Sequence, residues 1–319
     1  MEKKRCLYCY QELDADAASE YHAKCSKAFY GRTTPPLLSI DEKGLEEMAK
    51  EIVKLRITIP GVQPKLSLTL QENKNDPKKS RLTVVGLWGN YILKPQSNGF
   101  KHLPENEDLT MKLAELAGIR TAEHSLIRTS NGSLAYITKR FDRTERSKIP
   151  TEDLCQLSEL PSTGTSKYNS TMEKAGKVIA KNSSTPGLDV QFYFELTLFA
   201  FLTGNADMHL KNFSIIKSND NQYRLAPAYD LLCTTLAMPD DKEQMAMHLN
   251  GKKNNIRKKD FLEFASKLNI NPLAADKIIT RQLNFKKCFD ELIEISFLPD
   301  EYKKRYSELI HSRLKVMED

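Results

Sequence analysis

The chain has 319 residues, of which 40% are hydrophobic and 28% charged, a composition typical of globular proteins rather than of disordered or fibrous ones. Its 48 basic and 42 acidic residues give a net charge of +6, so the surface is mixed and does not by itself call for a nucleic-acid partner. No apolar run approaches the roughly 20 residues of a membrane helix, and the charged amino terminus lacks the pattern of a secretory signal. We therefore expect a cytoplasmic protein with no membrane partner, long enough for two ordinary domains.

Residues 1–30 are predicted to form a zinc-ribbon-like unit, because they hold three of the six cysteines. The pattern is C-x2-C-x12-H-x2-C, formed by Cys6, Cys9, His22 and Cys25. Two close pairs of sulfur or nitrogen ligands joined by a short connection suit tetrahedral zinc, and four protein ligands predict a structural Zn²⁺. The alternative is a set of ordinary reduced cysteines. The other three cysteines are scattered and are expected in the core.

Residues 31–55 are predicted to be a linker followed by a helix, since Gly31–Ser39 is rich in Thr and Pro and Ser39–Glu42 has the pattern of a capping box. Residues 56–145 are predicted to be rich in strands, which alternate apolar and polar side chains. The predicted elements are strands near 66–70, 82–85 and 91–93, a helix near 108–117, and two strands that flank the turn at Asn131-Gly132.

Residues 146–319 are predicted to be mainly helical. The strongly apolar stretch 190–203 indicates a buried helix, and 213–217 with 222–225 indicates a hairpin. Further helices are predicted at 259–268, 272–297 and 300–316. The fold class expected from this order is α+β, with a small zinc-binding unit, a β-rich lobe and a mainly α-helical lobe.

In the segment after the apolar helix, four residues separate Asp207 from Asn212, and the hairpin then leads to Asp230. Phosphoryl transfer needs a carboxylate that orients the acceptor hydroxyl and oxygen ligands for Mg²⁺. Protein kinases supply these groups from an Asp-x4-Asn loop and an Asp beyond a hairpin. Each residue alone is common in turns, but the three in this order predict a catalytic base and two Mg²⁺ ligands. Lys211 and His209 either neutralise phosphate charge or orient the loop, and a structural role for His209 is also compatible.

A kinase also needs a lysine for the ATP phosphates, on a strand of its first lobe. Lys94 follows the apolar run 91–93 and precedes Pro95. Glu107 and Glu105 are candidates for its acidic partner, although either could instead cap the helix. The segment 59–65 precedes a strand but has one glycine, so it is neither a Walker A loop nor a G-x-G-x-x-G loop.

Four segments resemble the serine/threonine kinases of the HipA toxin family: 57–65 (ITIPGVQPK), 139–143 (KRFDR), 204–214 (GNADMHLKNFS) and 225–230 (LAPAYD). The resemblance extends over roughly residues 50–310. It implies a two-lobed protein-kinase-like fold that uses ATP and Mg²⁺, with Asp207 as base, Asn212 and Asp230 as metal ligands and Lys94 on the phosphates. It further implies a loop over the nucleotide, formed by Pro60, Gly61, Val62, Gln63, Pro64 and Lys65. The hinge beside the adenine would be formed by Lys139, Arg140 and Phe141. Other nucleotide contacts are implied for His209, Lys211 and Tyr229.

The resemblance also implies regulation and partners. Members of the family inactivate themselves by phosphorylating a serine just before the glycine of the nucleotide loop, and Thr58 occupies that position here. The alternative is that Thr58 is a β-branched strand residue. Pro60 and Pro64 replace smaller or acidic residues of the family loop. The implied partners are a HipB-like helix-turn-helix antitoxin, DNA only through that antitoxin, and a protein substrate such as an aminoacyl-tRNA synthetase. Long family members carry an amino-terminal subdomain without a counterpart in this sequence, and a separate small protein could supply it.

Two other functions stay open at this point. The Asp-x4-Asn loop also occurs in kinases of lipids and other small molecules, which makes such a kinase an alternative. A zinc-bearing binding module with an inert kinase body is a second alternative. The intact set of Lys94, Asp207, Asn212 and Asp230 argues against the inert module.

Overall fold

The computed structural model describes residues 4–38, 44, 65–73, 76, 79–85, 88–97, 99–144, 147–161, 164–218 and 220–318. The predicted helix that follows the capping box, with Leu45, Met48, Ala49, Ile52 and Val53 on one face, lies outside the described residues, as do Thr58 and residues 60–64. The chain divides into two compact units. The sheet unit comprises Met1–Asp108, Ala122–Glu145 and Ile295–Phe297, and the helical unit comprises Leu109–Thr121, Arg146–Glu294 and Leu298–Asp319. Within the described residues, no helix is both long and apolar enough to cross a membrane.

The sheet unit contains a five-stranded antiparallel sheet with the strand order β2-β1-β3-β5-β4. Its inward side chains include Leu66, Leu68 and Leu93, which are fully buried, as alternation along a strand predicts. The strands are β1 Leu66–Gln71, β2 Arg81–Val84, β3 Tyr91–Pro95, β4 His124–Arg128 and β5 Leu134–Lys139. The predicted strands on both sides of Asn131-Gly132 are thereby confirmed.

Two helices belong to this part of the chain, α1 Ala23–Tyr30 and α2 Leu103–Leu116. Helix α2 begins five residues before the predicted start at 108. Pro104 at its beginning has the backbone angle that a first helical turn needs, and the Gln96 side chain accepts a hydrogen bond from the Leu103 amide (3.2 Å). Both features lie before the apolar pattern, so periodicity alone did not find them.

The helical unit is organised around α5 Pro186–Leu202, whose last thirteen residues are almost all buried. A helix that is apolar on every side needs neighbours on every side, and α4 Met172–Asn182 and α8 Pro272–Leu283 are among those that pack against it. The predicted buried helix and the predicted hairpin are confirmed. The remaining elements of this region are α3 Leu154–Leu157, α6 Thr234–Ala237 and the antiparallel strands β6 Thr151–Asp153, β7 Ser214–Lys217 and β8 Tyr223–Leu225.

The carboxyl-terminal helices are α7 Lys258–Lys267, α8 Pro272–Leu283, α9 Lys286–Glu294 and α10 Asp300–Glu318. The prediction of one continuous helix over 272–297 is wrong, because helix α8 ends at Leu283 and α9 begins at Lys286. The Asn284 amide donates to the carbonyls of Thr280 and Arg281 (both 3.2 Å), a tightening that is common at helix ends. The Phe285 ring then stacks on Phe289 of α9 (centroids 5.9 Å apart). A β-rich part followed by a helical part gives the α+β class that the sequence predicted.

Candidate active site and metal centre

The loop that carries the predicted catalytic residues begins at Gly204, directly after α5. Gly204 has φ +69, and a Cβ at this position would lie 2.5 Å from Leu309 Cδ2. A larger residue would therefore be both strained and crowded. The Gly204 carbonyl accepts hydrogen bonds from the hydroxyls of Thr234 (3.1 Å) and Thr235 (3.2 Å). These bonds fix the start of the loop against the residues that follow Asp230.

The structure brings Asp207, His209, Asn212 and Asp230 into one cluster within the helical unit. The Asn212 side chain donates to Asp230 Oδ2 (3.4 Å) and its Oδ1 accepts from the His209 amide (3.1 Å). His209 Nε2 lies 3.8 Å from Asp207 Oδ2. Asp230 has φ +60, a conformation that Asp tolerates and that is frequent at functional sites. Carboxylate and amide oxygens, which Asp230 and Asn212 carry, are the ligands that Mg²⁺ prefers.

Tyr168 is a member of this cluster that the sequence analysis missed. Its hydroxyl donates to Asp207 Oδ1 (2.6 Å), and its ring meets the His209 ring edge-on, with centroids 5.2 Å apart. Burial, and then the hydrogen bond to Asp207, raise the pKa of Tyr168 far above its ordinary value, so the hydroxyl stays a neutral donor. Tyr168 ends the short 3₁₀ turn Gly164–Tyr168, and no spacing rule connects that turn with the loop.

His209 is uncharged at neutral pH, because burial lowers its pKa to about 4 against the opposing charge of Asp207. A neutral imidazole cannot neutralise phosphate charge. The hydrogen bond from the His209 backbone amide to Asn212 and the contact of the His209 ring with Asp207 instead favour the second interpretation, that His209 orients the loop.

The low pKa of His209 makes the free energy of unfolding of the protein without nucleotide or metal depend on pH. The unfolded chain binds a proton near pH 6.5 and the folded chain only near pH 4, so stability is full above pH 6.5 and falls as the pH drops towards 4. The loss at this one site is at most about 3 kcal/mol. Urea unfolding of the wild type and of His209→Asn at pH 7.5 and pH 4.5 checks this. We expect the stability of the wild type to fall further than that of the variant, and equal losses would contradict the assignment.

Tyr229 connects the loop that begins at Gly204 with the hairpin. Its hydroxyl donates to the Lys211 carbonyl (2.8 Å) and accepts from the Ser214 hydroxyl (2.6 Å). Tyr229 therefore holds the backbone before Asn212, at Lys211, and the side chain after it, at Ser214. The Asn212 side chain itself is held by the hydrogen bond from the His209 amide. This is a positioning role, additional to the nucleotide contact that the resemblance implies for Tyr229.

In the sheet unit, the ammonium group of Lys94 forms a short ion pair with Glu107, and the two side chains are only 5% and 2% exposed. The ammonium also lies 5.4 Å from the centre of the Tyr136 ring. Glu105, the other candidate acid, lies instead near His102 (3.5 Å). The structure thus selects Glu107 as the partner of Lys94, on the first turns of α2.

The predicted hinge residues lie at and after the end of β5. Lys139 Nζ contacts Glu123 (2.5 Å) and lies 5.4 Å from the centre of the Phe29 ring. Arg140 binds both oxygens of Asp142 (2.8 and 2.7 Å). Burial opposes ionisation of Asp142, but the guanidinium groups of Arg140 and Arg143 outweigh it and lower the Asp142 pKa. Phe141 follows in the same turn, and Lys65 is exposed just before β1.

The predicted metal ligands converge as the sequence suggested. One ligand atom from each of Cys6, Cys9, His22 and Cys25 lies within 4.8 Å of all the others. His22 Nδ1 is 3.4 Å from the Cys9 sulfur and 3.8 Å from the Cys25 sulfur. Tetrahedral zinc with ordinary bond lengths requires about 3.6 Å between such atoms. His22 Nε2 faces the Glu12 carbonyl (3.1 Å), and since a carbonyl only accepts, Nε2 carries the proton and Nδ1 is left to bind metal. The residues fit a structural zinc ion.

The sequence is similar to a known protein family and to proteins named as kinases. Residues 57–288 match the family model described as the HipA-like C-terminal domain. The chain is 26% identical over 291 residues to a Haemophilus influenzae protein named "Putative kinase", covering 82% of each. It is 28% identical over 220 residues to the "Serine/threonine-protein kinase toxin HipA" of Shewanella oneidensis, covering 62% of this chain and 47% of the toxin. The chain thus spans about half the length of that relative.

The fold is similar to a solved structure as well. A chain in the Shewanella oneidensis complex of HipA, HipB and operator DNA matches with a TM-score of 0.68 and 21% sequence identity, covering 88% of this chain and 71% of that one. This likeness supports a kinase-like α+β fold. The family model covers more than half of the 319 residues, and the chain therefore belongs to the HipA-like C-terminal domain family.

Proposed function

We propose that the chain is an ATP- and Mg²⁺-dependent serine/threonine protein kinase of the HipA toxin type. The observation that carries the proposal is the cluster of Asp207, Asn212 and Asp230 in the order and spacing of a kinase catalytic loop. Asp207 is 48% exposed at its side chain, so one oxygen can meet an acceptor hydroxyl while Tyr168 holds the other. In the proposed step the γ-phosphoryl group moves to the acceptor oxygen, ADP leaves, and the hydroxyl proton passes to Asp207.

The other groups have supporting roles in this proposal. Asn212 and Asp230 would hold Mg²⁺, which neutralises phosphate charge when bound. Lys94, fixed by Glu107, would bind the phosphates, and residues 60–65 would cover the nucleotide. Cys6, Cys9, His22 and Cys25 would hold a structural zinc ion. Thr58 would be the site of autophosphorylation. A HipB-like antitoxin would be the partner, as in the Shewanella oneidensis complex named above, and a translation component would be the substrate, as the family resemblance implies.

The test is a comparison of intact mass after incubation with ATP and Mg²⁺. We expect the wild type to gain phosphate and Asp207→Ala to gain it slower by about 10²–10⁴-fold, the usual contribution of a catalytic base. Asp220→Ala is the matched control, because Asp220 is an exposed aspartate of the β7–β8 turn and its loss should leave the rate unchanged.

Peptide mapping of the phosphorylated wild type would test Thr58 separately. Equal phosphate gain by the wild type and Asp207→Ala would overturn the role of Asp207. Absence of both phosphate gain and ATP binding in the wild type would overturn the kinase proposal, and phosphate transfer to lipid but not to protein would overturn the substrate class.

A further inference from the structure

Asp108, the residue after Glu107 on α2, is held from two sides by buried groups of the sheet unit. The Tyr10 hydroxyl donates to Asp108 Oδ2 (2.7 Å), and His124 Nδ1 lies 2.6 Å from Asp108 Oδ1. Tyr10 and Asp108 are 0% exposed and His124 is 1% exposed. A carboxyl group so deeply buried is costly unless hydrogen-bonded, so these two contacts determine where Asp108 lies.

The position of Asp108 in turn determines where Glu107 points. Consecutive residues on a helix point about 100° apart, so fixing one side chain sets the rotation of α2 about its axis and thereby the direction of the next. Glu107 contacts Lys94, and both groups are at least 95% buried. A small rotation of α2 would separate this ion pair in a place where neither partner has water to replace the other.

Tyr10 is positioned by the metal-binding turn. It directly follows Cys9, and its amide donates to the Cys6 carbonyl (2.9 Å), which closes the turn that carries two of the four ligands. Its φ of +63 is unfavourable for a tyrosine, so its backbone keeps this conformation only while the surrounding turn imposes it. The Tyr10 ring also lies edge-on to Phe297 (centroids 5.2 Å apart).

The same small unit is joined to the sheet beside His124. The Leu7 carbonyl accepts from the Leu126 amide (3.3 Å) and from the Ser125 hydroxyl (3.2 Å). The Tyr21 hydroxyl donates to the Leu126 carbonyl. Tyr10 therefore projects from a turn that is anchored on β4, the strand on which His124 lies, and reaches α2 through Asp108.

We propose that residues 4–30 form a positioning element for the Lys94–Glu107 ion pair, acting through Tyr10 and Asp108, so that metal binding at Cys6 and Cys9 supports nucleotide use at Lys94. Tyr10 is a positioning residue in this arrangement and touches neither nucleotide nor acceptor. Its effect on phosphoryl transfer rests on the proposed kinase function, whereas its effect on Lys94 does not.

The experiment compares Tyr10→Phe with Tyr30→Phe in the zinc-loaded chain of 319 residues. Both variants lose one buried tyrosine hydroxyl from the same small unit, but the Tyr30 hydroxyl is bonded to the Tyr21 hydroxyl (3.2 Å) and not to Asp108. The first readout is the rate at which Lys94 is acylated by an amine-reactive ester, followed by peptide mass spectrometry. We expect about tenfold faster labelling in Tyr10→Phe, from loss of a hydrogen bond to a buried carboxyl group, and a rate in Tyr30→Phe within about twofold of the wild type.

The second readout is kcat and the KM for ATP. We expect kcat/KM for ATP to fall about tenfold in Tyr10→Phe, through a higher KM as well as a lower kcat, and to stay near the wild-type value in Tyr30→Phe. Labelling of Lys94 in the wild type should also rise when a chelator removes zinc and return when Zn²⁺, but not Mg²⁺, is restored.

Equal labelling of Lys94 in the two variants would overturn the proposal, and so would faster labelling without a change in kcat/KM. Labelling that ignores the chelator would overturn the link to the metal. If the wild type shows no kinase activity, the proposed function fails, and the labelling rates still decide whether Tyr10 positions Lys94.

Discussion

Replacement of Lys94 by Met is expected to weaken ATP binding and to destabilise the protein. The substitution leaves the Glu107 carboxylate 2% exposed and without its cation. Removing one partner of a buried ion pair costs about 3–5 kcal/mol, because the remaining charge has neither water nor partner. Loss of a charge-assisted contact with phosphate should weaken ATP binding by about 10–100-fold. Urea unfolding measures the first effect and titration calorimetry with ATP the second.

Two further variants separate stability from binding. Lys79→Met removes a lysine whose ion pair with Asp76 is exposed (69% and 39%), and it should cost less than about 1 kcal/mol and leave ATP binding intact. Lys94→Met combined with Glu107→Leu replaces both buried charges, so it should recover most of the stability while ATP binding stays about 10–100-fold weaker than in the wild type, as in the single variant. A single Lys94→Met variant as stable as Lys79→Met would contradict the buried ion pair. Retention of ATP affinity in the double variant would contradict the phosphate role.

Removal of the proposed zinc ion is expected to lower the thermal midpoint by about 10 °C, since a unit this small depends on its metal for folding. The four ligands lie on the turn at 6–9 and at the start of α1, and Tyr10 and Phe29 of the same small unit are fully buried. Burial and the neighbouring sulfurs of Cys6 and Cys9 raise the pKa of Cys25 to about 12 without metal, so the Cys25 thiol would be protonated and the unit would lose its cross-link. Circular dichroism with and without chelator measures the shift.

The matched variants for this prediction are Cys9→Ser and Cys288→Ser. Cys9 contributes a ligand atom to the cluster, whereas Cys288 is an exposed cysteine of α9. The expectation that the other three cysteines lie in the core is wrong for Cys288, although it holds for Cys155 and Cys233. Native mass spectrometry should find one zinc ion per chain in the wild type and in Cys288→Ser, and none in Cys9→Ser. A wild type that is purified without zinc and melts at the same temperature with and without chelator would show that the four residues are a reduced cluster with no metal.

Much of the fold was predictable because its signals are local. Alternation at 66–70 and the apolar run at 190–203 follow from the periods of strands and helices, and both elements are found where these periods put them. The wrong predictions concern the residues at which helices begin and end. The start of α2 depends on Gln96, seven residues before the helix, and the break at Asn284 interrupts a helical pattern that continues on both sides of it. In each case the deciding contact lies outside the periodic pattern.

The sequence by itself determined the composition of the candidate sites, because their spacings are short. Cys6, Cys9, His22 and Cys25 converge through two tight turns, and Asp207 and Asn212 share one loop. Only the tertiary structure decided which groups act on them: Glu107 rather than Glu105 for Lys94, Tyr168 for Asp207, and Tyr10 with His124 for Asp108. These partners are 13 to 98 residues apart in the chain. Their pairing depends on how strands and helices pack, since a buried polar group takes whichever partner the packing brings within reach.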